Sequence, residues 1–350
     1  MNQYMVPVPG YWGRQLATVL VLLAASLLCA AAWAAETNRI LDEVVAGQTV
    51  AADEFHQAFE GPIPTNLHFP DAPNEDTGLM VMLHGWGGDY HQYDTYCADW
   101  RNRYNCVMLQ VNYRGSSKAT QPYDFGKYQA IDVLRAMHWV LSNYPVNRRR
   151  IIGWGGSGGG NVILQCGKMA PNTFALIVEC AGITHPTSAA EMKAGWDRPD
   201  RAGGWQGTAL GGTKEYPEPE RLIRDPVYHA ALFNTKVYIF HPDLDTTVGV
   251  QHGTQMAYAL RAAGKDVVFE IIEGGNHMFT GALDPNESNR KVCTEHYCTD
   301  DLLTRRTDGR TDFDRKEPVV LPVNDGLSYR VVFDATGLPS LEGPLPAGGG

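Results

Sequence analysis

Charge is scarce in this chain of 350 residues: Asp, Glu, Lys and Arg make up 19%, and the formal net charge is −10. No basic stripe is present. The densest cluster, Arg148-Arg149-Arg150, sits just before an apolar run. A nucleic-acid partner demands a basic face for its phosphates, so that class is excluded. No Cys-x-x-Cys pair occurs, which removes the usual framework for structural zinc, and no metal is expected. No internal repeat is found, so a solenoid does not fit. After residue 35 no apolar run is long enough to span a bilayer. What is present is an ordinary globular composition, 44% apolar with 37 Gly and 21 Pro, which excludes disorder and collagen as the main state.

The N-terminus carries the one long apolar stretch. Leu16 to Ala35 follows Arg14 and ends in Ala32-Trp33-Ala34 before Glu36. A basic residue, an apolar core and small residues at a cleavage point predict a secretory signal over residues 1–34. The rival is an uncleaved anchor, and only then does the protein meet a membrane. An exported, periplasmic or extracellular chain keeps Cys97, Cys106, Cys166, Cys180, Cys293 and Cys298, an even count. Cys97–Cys106 and Cys293–Cys298 are the candidate local disulfides. Cys166 and Cys180 read as buried small hydrophobes.

Short apolar runs then alternate with helical patterns. Leu79–Leu83, Val107–Val111, Arg150–Trp154, Ala175–Cys180, Lys236–His241 and Val267–Ile272 predict buried strands. Tyr128–Ser142, Gly159–Met169 and Gln251–Ala263 predict helices, the first from Ile131, Leu134, Met137, His138 and Leu141 at helical spacing. Such alternation implies a doubly wound, mostly parallel α/β sheet of about eight strands. The stretch 184–224, rich in Gly, Pro and charge, reads as an insertion over the strand ends. Residues 35–299 form the main domain and 300–350 an extension. Within that extension Asp300–Lys316 is expected to be a charged loop, Val319–Val323 and Tyr329–Phe333 a hairpin, and LEGPLPAGGG a loose end.

The informative segment is Gly155-Gly156-Ser157-Gly158-Gly159, a G-x-S-x-G after a strand and before a helix. That context predicts a nucleophile elbow, a strained turn exposing the serine hydroxyl. The same residues also match G-x-G-x-x-G as Gly153, Gly155 and Gly158, with Glu179 as the acid of a dinucleotide site. The remaining residues favour the serine. A hydroxyl nucleophile needs a base and an orienting acid, in the chain order serine, acid, histidine. His277 follows one predicted strand in a glycine-flanked loop. Asp243 and Asp245 follow another, and Asp245, three residues before Val248, is preferred. The oxyanion donors are expected from Gly158 N–H and from Trp86 N–H, with Gly87 the alternative to Trp86. His84 reads as scaffolding. No cofactor is called for.

With LHGWGG at 83–88, NYRG at 112–115, NRRRIIGWGGSGGG at 147–160, HPDLDTTV at 241–248 and EGGNHMF at 273–279, the chain resembles the α/β-hydrolases, and among them the catalytic domain of prolyl oligopeptidase-like serine hydrolases. The resemblance implies Ser157, Asp245 and His277 as a triad acting on an ester or a short peptide. It departs where family members often carry Tyr after the serine, here Gly158, and where Pro242 replaces a usual Gly. Residues 36–78 are too few for the propeller of the larger oligopeptidases, so esterase activity stands beside peptidase activity. Trp196, Trp205 and Tyr216 in the insertion are candidate pocket residues. A binding protein on an inactive hydrolase scaffold is the reading from another class.

Overall fold

The computed structural model describes residues 39–51, 59–116, 124–185, 217–324 and 326–346. The apolar N-terminal segment, Trp196, Trp205 and Tyr216 lie outside the described residues.

An eight-stranded sheet runs β1 (Ile40–Ala46), β2 (Pro62–His68), β4 (Cys106–Val111), β3 (Gly78–Leu83), β5 (Ile151–Gly156), β6 (Leu176–Cys180), β7 (Lys236–Pro242), β8 (Val267–Ile272). Strands β4 to β8 are parallel neighbours, while β2 is antiparallel to both β1 and β4. This is the doubly wound, mostly parallel sheet of eight strands that the residue pattern predicted. The central strands are apolar on both faces because both faces are covered. In β3, Leu79, Val81 and Leu83 join one core layer, and Met80 and Met82 join the other.

The first layer holds α2 (Lys127–Asn143), α3 (Gly158–Met169) and α5 (Gln251–Ala262). The second holds α1 (Asp94–Arg103) and α6 (Arg290–Thr304). All twelve residues of α3 are buried, which suits its glycine-rich, apolar sequence. A short α4 (Glu218–Leu222) lies near the end of the 184–224 stretch.

Four expectations are corrected. Cys293 and Cys298 do not form the expected disulfide: both lie on α6 as free thiols. Five residues on a helix rise about 7.5 Å, beyond the reach of one disulfide. Cys97 and Cys106 are also free and buried, on α1 and β4, where burial pushes the Cys106 thiol up to about 11. Asp300–Thr304 closes α6, and the charged residues after it are tied down rather than loose. Arg305 donates to Ala175 O at 3.0 Å, Thr307 N–H to Arg149 O at 3.0 Å, and Asp312 accepts from Asn172 N–H at 2.7 Å. The expected hairpin forms as β9 (Val319–Pro322) and β10 (Leu327–Phe333), but the ending adds a third strand, β11 (Pro339–Pro346). Gln48 fixes β11 by bonding both the N–H and the carbonyl of Leu341.

Candidate active site

The site lies where β5, β7 and β8 end. Strand β5 feeds α3 through Ser157, whose backbone sits at φ 57°, ψ −121°. A non-glycine residue there is strained and persists only where its surroundings fix it. Two glycines do so by allowing close approach. A Cβ on Gly155 would come within 2.1 Å of Gly159 O, and one on Gly159 within 2.2 Å of Leu83 O. Ser157 N–H bonds Cys180 O at 2.8 Å, and Ser157 O accepts from Gly160 N–H at 2.9 Å. The hydroxyl is therefore held at the start of α3, whose N-terminus favours negative charge.

His277 follows β8. Its Nε2 lies 2.9 Å from Ser157 Oγ and its Nδ1 2.6 Å from Asp245 Oδ2. Asp245 Oδ1 accepts from Thr247 N–H at 2.8 Å and Val248 N–H at 2.9 Å, which is what the spacing to Val248 provides. Burial raises the Asp245 carboxyl, but the His277 hydrogen bond and charge together with the Val248 N–H hold it below its ordinary value. Asp243 is turned elsewhere and accepts from Gly274 N–H at 2.8 Å. The geometry thus separates the two acids left open by the sequence. Pro242 ends β7 beneath Gly275, where a Cβ would lie 3.2 Å from its own Cβ.

Beside Ser157 stands the loop after β3. A Cβ on Gly85 would be 3.4 Å from Ser157 Cβ, and one on Gly158 would strike the Trp86 indole at 2.3 Å. Trp86 therefore fills the space that a side chain at 158 would need, which accounts for the departure from Tyr. Its ring meets Phe125 edge-on at 6.1 Å. His84 is buried scaffolding, as expected. Its Nδ1 is 2.8 Å from Gly85 O, its Nε2 2.8 Å from Ser116 Oγ, and it stacks on Tyr113 at 4.3 Å. Burial pushes its pKa down to about 4. Gly85 N–H is taken by Gln92 Oε1 at 2.9 Å, so it is not an oxyanion donor here.

Sequence reasoning missed two supporting residues and gave a third another role. Arg290, at the start of α6 and 2% exposed, donates to His277 O at 2.6 Å and to Tyr93 Oη at 3.2 Å. The only signal was its place in the buried stripe Arg290, Thr294, Cys298, Leu302, spaced four apart. His241, fully buried on β7, is 2.9 Å from Val248 O and 3.6 Å from Asp245 Oδ2, and burial lowers its pKa to about 4. Glu179 lies under Gly160 and accepts from Gly182 N–H. Wholly buried, it is not available to a ribose, which removes the acid of the dinucleotide reading.

Among the described residues no group of three or more His, Cys, Asp or Glu could hold a metal, and no helix is long and apolar enough to cross a membrane. The prolyl oligopeptidase family model matches residues 93–297. No curated protein matches the chain. Similar solved structures include a puromycin-hydrolyzing peptidase of Mycobacterium tuberculosis, with 18% identity and a TM-score of 0.61 over 77% of this chain and 41% of that one. The Pyrococcus horikoshii acylaminoacyl peptidase has 14% identity and a TM-score of 0.58 over 77% and 43%. A hyperthermophilic esterase of Pyrobaculum calidifontis has 19% identity and a TM-score of 0.57 over 79% and 87%. At these identities the likeness is one of fold. The chain spans about two fifths of the length of the two peptidases.

Proposed function

From the premise that the chain belongs to the prolyl oligopeptidase family and is a serine hydrolase, we propose that it cleaves an ester or short peptide bond through an acyl ester on Ser157. His277 Nε2 takes the hydroxyl proton as Ser157 Oγ attacks the carbonyl carbon. Asp245 holds Nδ1–H and balances the imidazolium that forms. The oxyanion is received by the N–H groups of Gly158 and Trp86. As the tetrahedral intermediate collapses, Nε2 returns the proton to the leaving oxygen or nitrogen. Water then repeats the sequence on the acyl ester. The observation that carries this reading is the continuous bonding of Ser157 Oγ, His277 and Asp245 at 2.9 and 2.6 Å on a strained elbow.

A fluorophosphonate probe and a panel of nitrophenyl esters and Gly-Pro anilides test it together. Labelling is expected on Ser157 and absent in Ser157→Ala, with turnover down about three to six orders of magnitude. Asp245→Asn should cost about 10⁴ in kcat by freeing the wrong tautomer, whereas Asp243→Asn should cost far less. Labelling that persists in Ser157→Ala defeats the mechanism. The ratio of ester to anilide turnover assigns the substrate class, and silence on both with no labelling favours the binding scaffold.

A further inference from the structure

One buried imidazole beside the triad takes no part in the proton transfers. His241 stands near the end of β7 with its ring wholly buried. Burial pushes its pKa down to about 4, so at neutral pH the ring carries a single proton. Its Nε2 lies 2.9 Å from Val248 O, and a carbonyl only accepts, so that proton sits on Nε2. Nδ1 is buried and has no hydrogen-bond partner among the described residues. Helix α5 closes on that side, where a Cβ on Gly253 would come within 2.9 Å of both Nδ1 and the His241 Cβ. The ring therefore keeps one orientation and one tautomer.

In that orientation it reaches the acid by two routes. Val248 gives its N–H to Asp245 Oδ1 at 2.9 Å and its carbonyl to His241, so one residue of the loop is gripped at both of its peptide groups. Thr247 N–H completes the pair on Oδ1 at 2.8 Å. The same Nε2 lies 3.6 Å from Asp245 Oδ2, too far for a hydrogen bond. Both side chains are wholly buried, so the positive end of the N–H is still felt there. Oδ2 is the oxygen that holds His277 Nδ1.

Resting on the acyl-ester reading of Ser157, we propose that His241 is a positioning residue of the triad: it fixes Val248 so that two N–H groups stay on Asp245 Oδ1, and its own N–H tempers the basicity of Oδ2. The other charges that reach the ring come from His277 beyond β8 and Arg290 on α6, while α5 meets it through Gly253, which carries none. On the neighbouring strand β6, burial pushes the Glu179 carboxyl up to about 8, so it adds no full charge near neutral pH. A carboxylate stripped of these donors is a stronger base: it holds the imidazolium more tightly while losing its aim.

Paired variants test the proposal. His241→Leu removes the donor, and His241→Gln puts an amide N–H at the same reach. In His241→Leu, kcat on a nitrophenyl ester should fall about ten- to hundredfold with KM unchanged. The acid limb of kcat/KM should move to higher pH by about half a pH unit. His241→Gln should bring kcat back to within about threefold of wild type and restore the limb. A merely structural role would lower the melting temperature of His241→Leu and leave the limb of the folded protein where it was, which overturns the proposal. A limb that moves to lower pH, or a glutamine variant no better than leucine, overturns it as well. Should His241→Leu fail to fold, the imidazole nitrogen-15 shifts of the wild type, assigned by difference from His241→Gln, decide: an Nε2–H tautomer between about pH 6 and 8 supports the proposal and an Nδ1–H tautomer overturns it. Fluorophosphonate labelling separates this proposal from the reading beneath it. A wild type that does not label at Ser157 overturns both, whereas one that labels but whose kcat is indifferent to His241→Leu overturns this proposal alone.

Discussion

The two halves of the candidate site rest on unlike ground. Ser157 leaves β5, a strand buried along its whole length in the middle of the sheet. His277 leaves β8, the edge strand, which is mostly half covered. On the β5 side, position is imposed by contact: backbone meets backbone at Gly155 and Gly159, and any added atom collides. On the β8 side it is imposed by a few polar bonds, from Asp245 to the ring and from Arg290 to the main chain of His277. The nucleophile is fixed by packing, which cannot be loosened by degrees. The base is fixed by hydrogen bonds, which can.

One methyl group added to each side puts this contrast under the greatest strain. Gly159→Ala places a Cβ 2.2 Å from Leu83 O, a backbone atom with nowhere to go, and the loss in urea-denaturation stability should be about 3 kcal/mol or more. Gly275→Ala places one 3.2 Å from the Ile272 and Pro242 side chains, which can shift by tenths of an ångström. Its loss should stay at about 1 kcal/mol. Equal losses would mean that the centre of the sheet is no more constrained than its edge.

Arg290 tests the other half. Arg290→Lys keeps the charge but not the fork that reaches His277 O and Tyr93 Oη together. The ring should lose its fixed aim at Ser157, so kcat should fall about tenfold, worth about 1.4 kcal/mol, while KM stays put. Arg290→Met should fall further. A purely structural role would lower the melting temperature and leave the kcat of the remaining folded protein alone.

The same division explains what could be read from the residues alone. Six strands and three helices were legible because they are continuous apolar runs or clean helical periods, and the triad was legible because each member follows such a run. The strands β1 and β2 were not. β1 alternates exposed and half-buried residues at an edge, and β2 (PIPTNLH) buries Thr65, Asn66 and His68, with His68 Nε2 satisfied by Gln110 at 2.9 Å. Helix α6 was hidden because Cys293 and Cys298 invite a disulfide reading, although as thiols they belong to its buried stripe. Arg290 showed only as a member of that stripe, for a different reason: its partner is a backbone carbonyl, and a carbonyl leaves no mark in a sequence.

A smaller change should follow from the proton held at the centre. Glu179 stands on β6 opposite Gly155, wholly buried, and accepts from Gly182 N–H. Burial pushes its carboxyl up to about 8, against the pull of the Gly182 N–H and the Arg290 charge. The folded chain therefore keeps a proton that the unfolded chain, with an ordinary value of 4.5, has already released. Folding takes up a proton across that window, so this group favours the fold fully below about 4.5 and loses that contribution as pH rises through about 8. Glu179→Gln keeps the acceptor for Gly182 and carries no titrating proton. Relative to wild type its stability should rise between pH 5 and pH 8 by about 1 kcal/mol or more; the amide's unsatisfied donors cost the same at both pH values and drop out of that difference. Melting temperatures of both proteins across that range measure the difference. A gap between them that does not widen with pH would mean that Glu179 is ionised in the fold, and that the middle of the sheet, like its edge, holds its charges by pairing rather than by exclusion.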